Sequence, residues 1–504
     1  MFKSLKKFLS ASVAAALMVS CLSGCMGGGK TAEKGEDDMS KPYNIVWYFI
    51  AGNDTADIDT VEAKMNEYLK DKINATVEFA PIDWSAYESK MNTIIASGEN
   101  YDLCFTSNWI LNVEPNINRG SFLAIDELVD KYAPKTKELI GAENLETIKV
   151  RSGDADKIGH YYYLPTIKDW AMDYGFVFRK DLVEKYNIDY KNIKSIDDLL
   201  PALDIIKKNE PGVTPFLIGG TSSPVSLLEV QHTTYPAAFY VGKNYGQPIM
   251  VTETPEYKEA CLQSRMLVEK GYAPSDAIVA NSANGKKNGD YFCWIEQLKP
   301  GKAQEYGPEY KHEYVQTDVT TPIMGSLAGS AFAVSRVSKN PARVMKFLEL
   351  YYTDPYLSNL FAFGIEGKHY TKNPDGRIKP VSNSGYSRTG MQWMFGDTTK
   401  NLLFENEDPD KNKQLIEFNK NAYRQPYDDM KIDADSIKTQ SATCINVRNE
   451  FEGLLMAGAV DVEKELARYN QKLRQSGADK IMEMYEKASK EWLEAHPEYA
   501  AKNK

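Results

Sequence analysis

The chain runs to 504 residues, with 60 lysines and arginines against 70 aspartates and glutamates, a formal charge of −10, and an apolar content of 42%. This composition is that of a water-soluble globular protein, and the negative balance argues against nucleic acid or an anionic headgroup as the main partner. The length excludes a single small core and calls for two lobes.

Lys3, Lys6 and Lys7 precede an uncharged apolar run from Phe8 to Leu22. The run has the length of a signal-peptide core and falls short of the roughly 20 residues a spanning helix needs. It ends in Leu22-Ser23-Gly24-Cys25, the lipobox pattern of small residues before a cysteine. In that pattern a diacylglyceryl group is added to the Cys25 thiol, and cleavage after residue 24 makes the lipidated cysteine the new N-terminus. Met18-Val19-Ser20-Cys21 is a poorer match. Losing three lysines and no acid takes the formal charge from −10 to −13. The segment that follows, MGGGKTAEKGEDDMSK, is glycine-rich and then charged, and residues 25–42 read as a flexible tether. No later stretch has the length and apolarity of a spanning segment, and two acyl chains suffice for stable attachment. The expected place is the extracellular face of a cell membrane, held by the lipid.

Asn44–Ile50 is an apolar run that predicts a buried strand. A helix follows over Asp57–Lys72, with Ile58, Val61, Met65 and Leu69 at helical spacing, and then a strand at Ala75–Phe79. A helix over Tyr87–Ser97 leads to a third strand, Tyr101–Thr106. Alternation of this kind predicts a parallel sheet flanked by helices. After His160 the character changes. A strand at Tyr174–Phe178 is followed by a short helix over Asp181–Tyr186, and Ser195 caps a helix running to Lys208. Thr214–Ile218 is the next strand. Residues 324–330, MGSLAGS, suit a crossover to a strand at Ala331–Val334 and a helix over Pro341–Tyr351. From Asp461 to Glu494 the chain is mostly helical, with Gly477 as a break.

Chemistry-bearing motifs are sparse. Cys104, Cys261, Cys293 and Cys444 are far apart, with no CxxC or Cys/His cluster, and read as buried single thiols. GxSxG, HExxH and P-loop patterns do not occur. His160, His232, His312, His369 and His496 are scattered singly. Asp408-Pro409-Asp410-Lys411-Asn412 imitates the start of a calcium loop but lacks its glycine and its glutamate. Neither a metal, a cofactor nor an enzyme is therefore expected.

Several phrases carry a family resemblance in their order. They are "GHYYYLPTIKDWAMDYGFVFRKDLVEKYNID", "KSIDDLLPALDIIKK", "AFAVSRVSKNPARVMKFLELYYTDP", "FGIEGKHY", "EFNKNA" and "ELARYNQKLRQSGADKIMEMYEKASKEW". Together they resemble the extracellular solute-binding lipoproteins of ABC sugar importers, family 1 type, in a long-chain group of Gram-positive bacteria. The resemblance implies an α/β, two-lobed periplasmic-binding-protein-like fold of type II. A hinge of two or three strands would join the lobes, and the C-terminal region would be helical. Residues 43–165 and 326–390 would form the first lobe, and 166–325 and 391–504 the second. It also implies a monomer that closes on its ligand and delivers it to membrane permease subunits, ATP being hydrolysed on another chain. A sensor that signals to a membrane kinase would share this fold.

A sugar offers ring faces for stacking and hydroxyls for acids and amides. The chain has 31 tyrosines and 7 tryptophans, more than a core requires. Candidate ligand contacts near presumed strand ends and loops are Trp84, Asn108, Trp109, Tyr162, Asp169, Trp170, Trp294, Glu296 and Trp393, with Asp173 beside the crossover. Trp109 and Trp393 lead because each lies in loop-like sequence. Trp47 and Trp492 read as structural. The ligand alternatives are a peptide, or an anionic sugar met by Arg151, Arg179, Lys180 or Arg388.

Overall fold

The computed structural model describes residues 37–503, apart from 152, 275–281, 307–309, 389 and 428–429. Cys25 and the segment before it lie outside the described residues.

The first sheet has five strands. Their order is Ala75–Ile82, Tyr43–Ile50, Leu103–Thr106, Ala331–Val334 and Leu164–Pro165. The first three are mutually parallel, whereas Ala331–Val334 runs antiparallel to Leu103–Thr106, with Phe332 opposite Phe105. The apolar run at 44–50 forms a strand because both faces of a covered sheet must be apolar. Its Trp47 is fully buried, stacks on Phe361 at 4.7 Å between centroids and meets Phe395 at 6.0 Å. The helix Ile58–Ile73 seals one face with Val61, Met65, Leu69 and Ile73, the 3.6-residue stripe expected of a surface helix.

The second sheet runs in the order Tyr314–Asp318, Ala171–Arg179, Tyr291–Leu298 and Thr214–Leu217. Ala171–Arg179 is antiparallel to both of its neighbours, and Ile323–Met324 pairs with its first two residues. Sequence patterning missed the strand Tyr291–Leu298. A second core joins the three-stranded sheet of Val230–His232, Ala237–Tyr240 and Ile249–Met250 to the helices Ala434–Met456, Val462–Gln475 and Ala478–Ala495. Gly477, at φ 96°, breaks the last two helices apart, as expected. No helix of the described residues is long and apolar enough to cross a membrane.

Two lobes therefore pack around the two sheets, joined by segments 165–171 and 324–331. These segments run side by side. Pro165 pairs with Ala331, and Ala171 with Met324. The Thr166 N–H donates to the Ser330 carbonyl at 2.9 Å, and the Gly325 N–H to the Trp170 carbonyl at 2.8 Å. A third segment joins them where Ile167 bridges Asp397. Met391, Met394 and Phe395 lie beyond the lobe boundary expected at 391, yet they pack in the first core with Trp47.

Composition placed residues 37–42 in a tether, and the structure corrects this. The side chain of Asp37 is covered by Arg343, which donates Nε–H to Oδ2 and Nη2–H to Oδ1, both at 2.8 Å. Lys346 and Asn340 also bond this carboxylate at 2.9 Å. Burial alone would raise the Asp37 carboxyl, but the donors of Arg343, Asn340 and Lys346 overcome it and hold the group well below the usual carboxylate range. A polar segment with a fixed partner belongs to the body.

Asp173, on the strand Ala171–Arg179, is the opposite case. It is buried, one of its oxygens has no hydrogen-bond partner, and burial followed by the nearby Asp318 charge pushes its carboxyl up to about 8 from an ordinary 3.8. Folded protein then holds this proton up to about pH 8, while unfolded chain releases it near pH 3.8. The contribution of Asp173 is therefore most favourable below the unfolded value and is lost as pH rises toward the folded one. Asp173→Asn, which is neutral throughout, is expected to raise Tm relative to wild type far more at pH 8 than at pH 5, as read by thermal scans. An equal shift at both pH values would refute the buried proton.

The four cysteines of the described residues, Cys104, Cys261, Cys293 and Cys444, are all buried and unpaired, as their spacing suggested.

Candidate ligand-binding site

Open α/β sheets offer their ligands the carboxyl ends of parallel strands. Trp84 follows the strand Ala75–Ile82 in a short 3-10 turn, and Trp109 follows Leu103–Thr106. Residues 107–112 fold back tightly to present Trp109. The Thr106 hydroxyl donates to the Leu111 carbonyl at 2.6 Å, and the Ser107 hydroxyl accepts from the backbone N–H of Ile110 at 2.9 Å and of Trp109 at 3.2 Å. Leu111 is held in the left-handed region at φ 44°, a strain that persists only where surrounding bonds over-determine it. The indole Nε1–H of Trp109 donates to the Gly329 carbonyl at 2.8 Å, which fixes the ring against the crossover.

Three of the tryptophans expected at the site converge here. Trp84 and Trp109 lie nearly parallel, 16° apart, with centroids 5.7 Å from one another. Trp393, in the turn Gln392–Met394, lies 6.0 Å from Trp109. Trp84 and Trp109 are 48% and 46% exposed. Asn108 is exposed beside Trp109, and Lys168 Nζ stands 5.7 Å over the Trp393 ring. The arrangement is an aromatic wall with two half-exposed rings and flanking polar groups, chemistry that suits the flat apolar face of a sugar.

The other candidates are buried or bonded to neighbouring groups. Trp170 is buried at the crossover, its Nε1–H bonded to the Thr166 carbonyl at 2.7 Å. Asp169 lies between Lys168 and Lys299, each at 3.2 Å. Opposing burial, the charges of Lys299 and then Lys168 lower its carboxyl. Tyr162 is buried in the first core. Trp294 is fully buried in the second lobe with Nε1–H donated to Glu296 at 2.9 Å, and Glu296 also pairs with Lys286 at 2.7 Å and accepts from Tyr306 at 2.7 Å. Trp47 and Trp492 are buried, in keeping with a structural role.

Two of the cations offered for an anionic ligand are paired with acids. Arg179 pairs with Asp181 at 2.7 Å, Lys180 with Glu313 at 2.8 Å, and Arg151 donates to the Glu146 carbonyl at 3.2 Å. Arg388 is buried over Phe395 and Phe361, at 4.5 and 4.7 Å, and burial lowers its affinity for its proton. His369 accepts from the Ile365 N–H at 2.8 Å and meets Asp57 at 3.1 Å, and His160 meets Asp126 at 2.9 Å. Both hold local structure. Lys168 over Trp393 is the polar neighbour that sequence reasoning missed; its position beside the crossover was the only signal.

A family model described as "Bacterial extracellular solute-binding protein" matches residues 52–357, more than half of the chain. The chain belongs to that family. Residues 426–494 of this solute-binding protein also match a domain of unknown function, DUF3502, which takes in the helices of the second core. A protein of Streptococcus pneumoniae serotype 4 named "Carbohydrate ABC transporter substrate-binding protein" is 27% identical, over 97% of this chain and 99% of its own length. Among solved structures, the N-glycan transport solute binding protein NgtS of S. pneumoniae superposes with a TM-score of 0.78 at 24% identity, covering 90% of this chain and 99% of that one. A Bifidobacterium longum infantis solute binding protein titled as binding HMO superposes with a TM-score of 0.59 at 15% identity, over 89% and 98% of the two chains. These structures establish the two-lobed fold, and the family is one of extracellular receptors rather than enzymes.

Proposed function

We propose that this solute-binding protein captures an oligosaccharide on the wall of Trp84, Trp109 and Trp393. It then closes its lobes and presents the ligand to the permease of an ABC importer. The observation that carries the reading is the convergence of three tryptophans from separate segments, two of them with half-exposed and nearly parallel rings. Indole faces of this kind match the C–H face of a pyranose, and the pairing of Arg179 with Asp181 and of Lys180 with Glu313 disfavours an anionic or peptide ligand. The relative named for carbohydrate transport, and the NgtS structure titled as a complex with Man5GlcNAc, support the same class of ligand. On this reading the lobe that bears the wall takes residues 43–165 and 326–397, and the lipid on Cys25 keeps the receptor at the outer face of the membrane.

The test is a titration of the mature, unlipidated chain with Man5GlcNAc and with neutral and acidic oligosaccharides and peptides, followed by tryptophan fluorescence and melting. A neutral glycan should change the indole emission. At a hundredfold excess over Kd it should stabilise the fold by about 2.7 kcal/mol. Binding confined to peptides would overturn the assignment.

A further inference from the structure

A single side-chain amide grips the crossover between the lobes. Asn419 is buried on the helix Lys411–Asn421. Its Oδ1 accepts from the backbone N–H of both Trp170 and Ala171 at 3.0 Å, and its Nδ2 donates to the Lys168 carbonyl at 2.6 Å. An asparagine amide has two donors and two acceptor positions, and three of these are spent on one four-residue stretch. Phe418 and Ala422 of the helix segment pack in the core that takes in both the first sheet and the crossover, and Lys411 at its start pairs with Glu305 at 3.2 Å. The chain leaving it belongs to the second lobe: the Tyr423 N–H donates to the Pro322 carbonyl, and the Tyr423 carbonyl accepts from the Met324 N–H, both at 2.8 Å. The helix thus takes hold of both sides of the crossover.

Hinges turn through the backbone angles of a few residues at element ends. The residues held by Asn419 lie at such an end, between the strands Leu164–Pro165 and Ala171–Arg179. In this same structure Trp84 and Trp109 are half-exposed, and the three amide bonds belong to that arrangement of the wall.

We propose that Asn419 is a hinge pin, a positioning residue whose bonds to Lys168, Trp170 and Ala171 hold the lobes open and set how often the ligand-free receptor closes. Closing turns the pinned residues, so the bonds must be released or redirected, and their strength enters the open–closed equilibrium. A ligand that is retained by the closed form binds with an apparent affinity scaled by the closed fraction. The affinity part of the inference rests on the glycan reading above; the conformational part does not.

The experiment compares wild type, Asn419→Ala and Asn419→Asp by small-angle scattering without ligand and by stopped-flow titration with Man5GlcNAc. Asn419→Ala should shrink the ligand-free radius of gyration toward the value of ligand-saturated wild type. It should also tighten glycan binding about three- to tenfold, chiefly through slower dissociation. Asn419→Asp keeps both acceptor bonds and should fall between the two. A ligand-free radius unchanged in both variants, with only a lower Tm, would overturn the pin. If Asn419→Ala does not fold, the Asp variant decides by the same reading. A scattering shift in a protein that binds no glycan would sink the ligand assignment and leave the pin standing.

Discussion

Replacing Trp109 by alanine is expected to weaken glycan binding roughly thirtyfold, a loss of about 2 kcal/mol of the kind a central aromatic anchor shows. Trp109 is the middle ring of the wall. It touches Trp84 on one side and Trp393 on the other, with Phe105 behind it at 6.1 Å. Removing it takes away one stacking face and also the support that orients the other two. The fold should scarcely notice, because the side chain is 46% exposed and its one hydrogen bond goes to the Gly329 carbonyl, worth about 1 kcal/mol or less. Calorimetric titration and a melting scan on the same sample separate the two effects. Full affinity at unchanged Tm would remove Trp109 from the site.

The largest effect on stability is expected at Arg343. Arg343→Met leaves the Asp37 carboxylate buried without its bidentate partner, and it also strips the Asn74 carbonyl of a donor at 2.7 Å. Breaking a buried ion pair from one side costs about 3–5 kcal/mol. For a lobe of this size that corresponds to a fall in Tm of roughly 6–20 °C. Adding Asp37→Leu should restore part of the loss, since two apolar side chains can replace a buried pair at little cost. Lys346 softens the single change by remaining 2.9 Å from the carboxylate. Equal stability of wild type and Arg343→Met would mean that water reaches Asp37.

Much of the first lobe was legible because its strands are continuous apolar runs. The stripe of Val61, Met65 and Leu69 announces its helix on its own. The second lobe was harder to read. Tyr291–Leu298 carries Trp294 and Glu296 two residues apart, which on a strand puts them on one face, where the indole donates to the carboxylate. Without the strand, the same pair read as sugar chemistry. The helix Ala434–Met456 escaped notice because the apolar residues it buries (Ile437, Cys444, Val447, Phe451 and Leu455) are diluted by polar neighbours. Asp37 finds its partner 306 positions away, and a pairing so remote leaves no local pattern.

At the site, Trp84, Trp109 and Trp393 were legible as aromatics in loops. Their meeting was not, since it depends on which strand ends the topology brings side by side. Asn419 lies in the phrase EFNKNA, yet an amide gives no hint in sequence that it will bridge backbone groups about 250 residues away.

The buried cysteines carry a practical consequence. From Asp37 onward the chain holds no cysteine other than Cys104, Cys261, Cys293 and Cys444. Burial pushes the thiols of Cys104 and Cys261 up to about 12, that of Cys444 up to about 11, and that of Cys293 well above its ordinary value. The thiolate is the reactive form, so maleimides at neutral pH should leave all four untouched. One cysteine introduced at the rim beside Trp84 would then be the sole attachment point for an environment-sensitive dye. The folded body is in this respect already prepared as the scaffold of a reagentless optical sensor for its own ligand.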